Sequence, residues 1–333
     1  MRRILPALLC AIFTSAGAHA TEVESVGITV SHADRSIVFY QDVLGFAPVE
    51  DREISGEQYE HLFGVFGMRA RVVRMRLGKE FVELIDYLTP GGRPVPADSR
   101  SNDLWFQHIA IVVSDMDAAF QRLRKHHVEF TSSAPQRLPD WNPNAGGIAA
   151  FYFRDPDGNN LELISFPPGK GDPRWQQSGS DVFLGIDHTA IAISRTPRSL
   201  GFYRDGLGLR VVGESENYGR EQELLNNVFG AHLKITALRG DHGIGVELLE
   251  YLAPAGGRPM PRDTRADDLW HAQIQIATDV LPTLVGQTQS VGAQVVSSRI
   301  IDTPDQALGF GSAALLRDGD GHAVLVHSLD TGS

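Results

Sequence analysis

Several short motifs combine residue types that do chemistry elsewhere. Asp155-Pro156-Asp157-Gly158 and Asp318-Gly319-Asp320-Gly321 look like pieces of a calcium loop. Neither has the further oxygen donors or the closing Glu of such a loop, and both fit tight turns between adjacent strands. Gly91-Gly92-Arg93-Pro94 and Gly256-Gly257-Arg258-Pro259 have the glycines of a phosphate-binding loop. No Lys-Ser/Thr pair follows them, and Pro94 and Pro259 each remove a backbone donor. They are expected to be connections crossing between structural units, with Arg93 and Arg258 available to an anionic substrate. Trp105 and Trp270 either line a cavity mouth or pack in a core. His322 reads as structural, and His61, His126 and His127 as surface residues.

Almost all of these motifs occur twice, which directs attention to the elements that carry them. Phe39-Tyr40…Leu44-Gly45 returns as Phe202-Tyr203…Leu207-Gly208, an offset of 163. Val82-Glu83-Leu84-Ile85-Asp86-Tyr87-Leu88 returns as Val246-Glu247-Leu248-Leu249-Glu250-Tyr251-Leu252, and Asp103-Leu104-Trp105 as Asp268-Leu269-Trp270. The spacing predicts two homologous domains, 22–167 and 184–329, joined by a polar linker over 168–183. Within the first, alternation predicts a strand at 26–30, a helix over 34–44 stopped by Gly45, and strands near 46–54, 70–77 and 80–88. The order then repeats: a strand at 108–113, a helix from Met116 capped by Asp115, and strands near 128–132, 148–154 and 160–166. The fold class is therefore α+β, four βαβββ units paired into two domains.

The whole chain sets the limits. Its 333 residues suffice for two ordinary domains, and a net charge of −11 argues against a nucleic-acid partner. A small-molecule substrate is the expected partner, with monomer and homodimer both open. Arg2-Arg3, the apolar run 4–13 and Ala18-His19-Ala20 read as a signal peptide over 1–20, giving a periplasmic or secreted protein with no membrane attachment after cleavage. Cleavage would remove Cys10, the only cysteine.

The chain resembles the vicinal-oxygen-chelate superfamily of glyoxalases, extradiol dioxygenases and bleomycin-resistance proteins. The residues that carry the resemblance are Ser36…Phe39-Tyr40…Leu44-Gly45, the Glu83 strand, and Phe151-Tyr152-Phe153-Arg154-Asp155-Pro156-Asp157-Gly158-Asn159-Asn160-Leu161-Glu162. It implies half-open barrels in which each unit gives one metal ligand from its first strand and one from its last. Carried over, the N-terminal domain offers Ser25, Glu83, His108 and Glu162, of which the last three are ligand types. The C-terminal domain offers His188, Glu247, Gln273 and Leu325; His271 and His327, about 6.6 Å further along the strands, are substitutes. Each domain is expected to complete its own site.

The resemblance implies a metalloenzyme, a lyase, isomerase or oxygenase, using Fe(II), Mn, Ni or Zn on a substrate with two vicinal oxygens. Glu83 or Glu162 doubles as general base, and Tyr152 resembles a substrate-side tyrosine. Neither domain by itself supplies the two His and one Glu of an extradiol dioxygenase. The alternative is a metal-free protein that sequesters a small molecule, which predicts a cavity richer in aromatics than in carboxylates. The long segment 134–147 is expected to form a lid.

Overall fold

The computed structural model describes residues 20–177 and 179–329; the signal peptide expected over 1–20 lies, Ala20 apart, outside them. The first unit comprises β1 (Thr21–Val30), α1 (Ala33–Asp42), β2 (Ala47–Ser55), α2 (Glu57–Phe63), β3 (Arg69–Leu77) and β4 (Glu80–Thr89). The second has β5 (Phe106–Val113), α3 (Met116–Lys125), the short β6 (Glu129–Phe130) and β7 (Gln136–Arg137), then β8 (Ala149–Arg154) and β9 (Asn160–Ser165). The third has β10 (Phe183–Ile193), α4 (Thr196–Leu200), β11 (Arg210–Tyr218), α5 (Arg220–Asn226), β12 (His232–Arg239), the two-residue β13 (His242–Gly243) and β14 (Gly245–Ala253). The fourth has β15 (Ala272–Thr278), α6 (Leu281–Ser290), β16 (Gln294–Val295), β17 (Ile301–Asp302), β18 (Ser312–Arg317) and β19 (Ala323–Ser328). The βαβββ order is as the sequence implies. The short helices α2 and α5 are additions that hydrophobic periodicity does not reveal, each being only seven residues long.

Capping follows local chemistry. Asp115 Oδ1 accepts from the Ala118 amide (2.9 Å) at the start of α3. The start of α1 is held from elsewhere, by Asp86 Oδ2 on the Ala33 amide (2.9 Å). Asp157, from the turn in the second unit, accepts from the Ser31 amide and hydroxyl at 3.2 and 2.6 Å. Asp320 does the same for Ser194 at 2.8 and 2.7 Å. Both Asp-rich turns are thus structural, tying together the two units within each sequence repeat.

The sheets, however, join units across the repeats. One sheet runs β16-β18-β19-β15-β1-β4-β3-β2, so the first unit pairs with the fourth. The other runs β11-β12-β14-β10-β5-β9-β8-β6, so the second unit pairs with the third. We call these sheet I and sheet II. The central seams are antiparallel, β1 on β15 and β5 on β10. This corrects the expectation that each sequence repeat closes its own site: each repeat is split between two sheets.

The repeated Gly-Gly-Arg-Pro and Asp-Leu-Trp motifs explain the exchange. Arg93 Nη2 pairs with Asp268 (2.7 Å) and Arg258 Nη2 with Asp103 (2.6 Å). The Leu269 amide donates to the Arg93 carbonyl and the Leu104 amide to the Arg258 carbonyl, at 2.9 and 2.8 Å. Trp105 and Trp270 stack on each other, centroids 6.2 Å apart. The two connections therefore clasp each other where they cross between sheets. Arg93 and Arg258 are committed to aspartates rather than to an anionic substrate, and the tryptophans form the clasp rather than a cavity mouth. The backbones meet so closely that a Cβ on Gly92 would lie 1.7 Å from the Asp267 carbonyl oxygen. Gly92→Ala is expected to destabilise the chain by about 3 kcal/mol, the upper end for overpacking, measured by urea denaturation.

Candidate metal centre

Strand register brings four side chains to the concave face of sheet II. Ala190 on β10 faces His108 on β5 and Glu247 on β14. Ala110 on β5 faces His188 on β10 and Glu162 on β9. Each pair of functional groups flanks an alanine, which leaves room for them to lean together. His108, Glu162 and His188 are buried, and one ligand atom from each lies within 4.8 Å of the others. His108 Nε2 is 3.1 Å from Glu162 Oε2 and 3.3 Å from His188 Nε2; His188 Nε2 is 3.6 Å from Glu162 Oε2 and 3.4 Å from Glu247 Oε2.

The outer partners fix which nitrogen faces inward. His188 Nδ1 donates to Asp187 Oδ2 (3.0 Å), and His108 Nδ1 lies against Gln107 Oε1. Asp187 is held in turn by both oxygens on Arg239 Nη2 (2.9 and 3.0 Å) and by the Trp175 indole N–H (3.0 Å), from the linker between the repeats. With both Nδ1 atoms donating, both neutral imidazoles turn Nε2 lone pairs toward one point, where the carboxylates also turn acceptors. Acceptors at 3 Å repel unless a cation lies between them. Ligand atoms about 2.1 Å from one ion stand about 3.0–3.4 Å apart, which the observed spacing matches. The donor set fits a divalent transition metal.

Without a metal the charge must be carried by a proton. Burial would push His188 down, but the carboxylates of Glu247, Asp187 and Glu162 outweigh it and raise its pKa to about 9. Metal uptake must displace that proton. Affinity is therefore expected to rise with pH, up to tenfold per unit, and to level off near pH 9, as read by metal titration across pH 6–10. Asp187→Asn is expected to lower metal affinity by about 10–100-fold through loss of the charged hold on His188.

Tyr152 on β8 faces Glu162 on β9, and its ring lies 5.0 Å from the His108 ring. Burial and the Glu162 charge hold its phenol well above the ordinary range, so it stays a proton donor. The cluster opens into a cavity of about 200 Å3. The segment 138–148 closes one side: Asn142 Nδ2 donates to Asn217 Oδ1 (2.7 Å) and Asn144 Nδ2 to the Glu214 carbonyl (2.6 Å), so the expected lid is strapped across β11. The short helix α5, which sequence reading missed, supplies Gln222 and Leu225 to the wall.

Sheet I presents the same four positions, and nothing there converges on an ion. Gly27 faces Glu83 and Gln273; Gln275 faces Ser25 and Leu325. Gln275 stands where sheet II has Ala110, and donates Nε2–H to Glu83 Oε2 (2.5 Å). Arg74 reaches Glu83 (3.4 Å) and Glu24 (2.5 Å), so a guanidinium supplies the positive charge. His327 pairs with Glu24 (3.0 Å) and stacks on Phe310. Burial alone would raise Glu24, but His327 and Arg74 hold it at about 2. The rest of this concave face is a continuous apolar core including Tyr59, Phe63, Phe310 and Leu325. Glu83 and Gln273 are therefore separated from His108 and Glu162, and His271 and His327 do not replace missing ligands. The two-His, one-carboxylate triad that neither repeat supplies alone is completed across the repeats.

A family model described as "Glyoxalase/Bleomycin resistance protein/Dioxygenase superfamily" matches residues 22–163 and again 185–328. A 2-epi-5-epi-valiolone epimerase from Actinomyces sp is 32% identical over 155 residues, 45% of this chain and 82% of that protein. Lactoylglutathione lyase GLX1 of Arabidopsis thaliana is 26% identical over 187 residues, 56% of this chain and 54% of that protein. The crystal structure of glyoxalase I from Zea mays superposes with a TM-score of 0.60 at 16% identity, covering 93% of both chains, a likeness of fold. With both repeats matched and the two-sheet fold shared, the chain belongs to the glyoxalase/bleomycin resistance protein/dioxygenase superfamily.

Proposed function

We propose that the protein is a metal-dependent isomerase, epimerase or lyase that moves a proton at a carbon next to a carbonyl. The observation that carries this is the inequality of the two carboxylates in sheet II. Glu162 is locked between both imidazoles with its side chain 6% exposed, whereas Glu247 contacts His188 alone and is 23% exposed. His108, His188 and Glu162 would hold the ion; when bound it supplies Lewis acidity to two vicinal oxygens of the substrate. Glu247, free to swing toward the cavity, takes the proton from carbon and returns it. Tyr152, kept protonated, donates a hydrogen bond on the other flank. The strapped segment 138–148 keeps water out. Glu83, the other carboxylate the sequence offers as a base, belongs to sheet I and has no part in this.

The two curated relatives support the class, since an epimerase and a lyase of this family each need a group to carry a proton. The competing idea of a metal-free sequestering protein is disfavoured by the cavity wall, which holds three carboxylates and a single aromatic, Tyr152. Export to the periplasm remains part of the proposal, supported by the sequence pattern at 1–20 and checked by cell fractionation.

Glu247→Gln is expected to keep the bound metal yet lower the rate of solvent-deuterium exchange into substrate by about 10²–10⁴-fold. Full exchange in that variant would remove Glu247 from the reaction. Oxygen uptake with catechols by the Fe(II)-loaded protein would instead favour the ring-cleaving chemistry that a two-His, one-carboxylate triad also serves.

A further inference from the structure

The same cavity carries information about what enters it, and this inference rests on the proton-transfer reading above. Among the described residues no Lys or Arg lines the wall, and its charged groups are the carboxylates Glu162, Glu214 and Glu247 besides the two imidazoles. A divalent ion would balance Glu162 and Glu247 and leave Glu214. Lys234 pairs with Glu214 (3.2 Å), but from an outer hollow beyond the lid segment. A phosphate, a carboxylate or a glutathionyl group would therefore meet acceptors and apolar side chains without a cationic partner.

One polar group in the wall is built and unsatisfied. Gln222 is 2% exposed, and its Oε1 has no hydrogen-bond partner. Its orientation is fixed behind it: Gln222 Nε2–H donates to Asn226 Oδ1, and Asn226 Nδ2–H donates to the Tyr251 hydroxyl (2.7 Å). The amide nitrogen is thus committed to Asn226, and Oε1 is left facing the cavity as an acceptor. A buried acceptor without a donor is costly. A substrate hydroxyl can satisfy it; an anionic oxygen cannot.

We propose that the substrate is an uncharged hydroxylated ketone, with two vicinal oxygens toward the imidazoles and a further hydroxyl donating to Gln222 Oε1. Gln222 is the specificity-determining residue, and it discriminates by rejecting any group that cannot donate.

Three probes of one skeleton test this: hydroxyacetone, dihydroxyacetone and dihydroxyacetone phosphate. They respectively lack the extra hydroxyl, carry it and replace it with an anion. Titration calorimetry on the full chain, with and without Mn(II), is expected to rank dihydroxyacetone at least tenfold tighter than either of the others. Gln222→Leu, checked for folding by circular dichroism, is expected to abolish its advantage over hydroxyacetone. Equal or tighter binding of the phosphate, survival of the gap in Gln222→Leu, or no binding of any probe at millimolar concentration would overturn the proposal. Deuterium exchange measured in parallel separates the two claims. The expected affinity order without exchange would sink the proton-transfer reading and leave the selectivity standing.

Discussion

His188→Ala is expected to abolish stoichiometric binding of a transition metal, whereas Glu83→Ala leaves it intact. The two residues sit at equivalent kinds of position, a first strand and a last strand, and a reading confined to the sequence repeats gives Glu83 the stronger claim. The sheets reverse that claim. His188 lies 3.3 Å from His108 Nε2 and 3.6 Å from Glu162 Oε2, across the β5–β10 seam. Its loss removes one of three inner donors and leaves Asp187 and Glu247 without the imidazole between them. The cost in affinity should exceed the 10–100-fold typical of an outer partner. Metal content after gel filtration checks it, and retention of a full equivalent by His188→Ala would mean that the ion binds elsewhere.

Arg74→Met is expected to be among the most destabilising single changes in the chain, by about 3–5 kcal/mol, while leaving the metal in sheet II untouched. The guanidinium is 16% exposed and stands between Glu83, 8% exposed, and Glu24, 25% exposed. Removing it strands buried carboxylate charge, of which Gln275 and His327 neutralise only part. The pH dependence has a definite sign. Glu24 titrates near 2 in the folded chain, well below an ordinary carboxylate, so its pairing stabilises above about pH 4.5 and is lost as pH falls toward 2. The Arg74→Met deficit should therefore shrink in acid. Urea denaturation at pH 7 and pH 3 measures both; an unchanged midpoint at pH 7 would show that sheet I does not depend on this internal cation.

The four βαβββ units and all eight candidate positions were legible in the sequence, because strand alternation and the duplicated motifs fix which residue faces which way. The partnership of the units was not legible, because alternation is a local property and the β1–β15 and β5–β10 seams join residues far apart in the chain. A signal for it was nonetheless present. Grouped within repeats, Ser25 and Leu325 spoil both sites; grouped across them, His108, Glu162, His188 and Glu247 make a full set, and Ser25, Glu83, Gln273 and Leu325 a wholly degenerate one. The reciprocal Arg93–Asp268 and Arg258–Asp103 pairs were also visible as repeated motifs, although their crossing is a tertiary fact. Gln222 was out of reach, since a seven-residue helix with one amide facing a cavity leaves no periodic trace.

The central claim is that one metal centre is assembled from both repeats, and anomalous diffraction at the absorption edge of the loaded metal tests it most directly. The account predicts a single strong peak within coordination distance of His108 Nε2, His188 Nε2 and Glu162 Oε2. A peak beside Glu83, in sheet I, would contradict it.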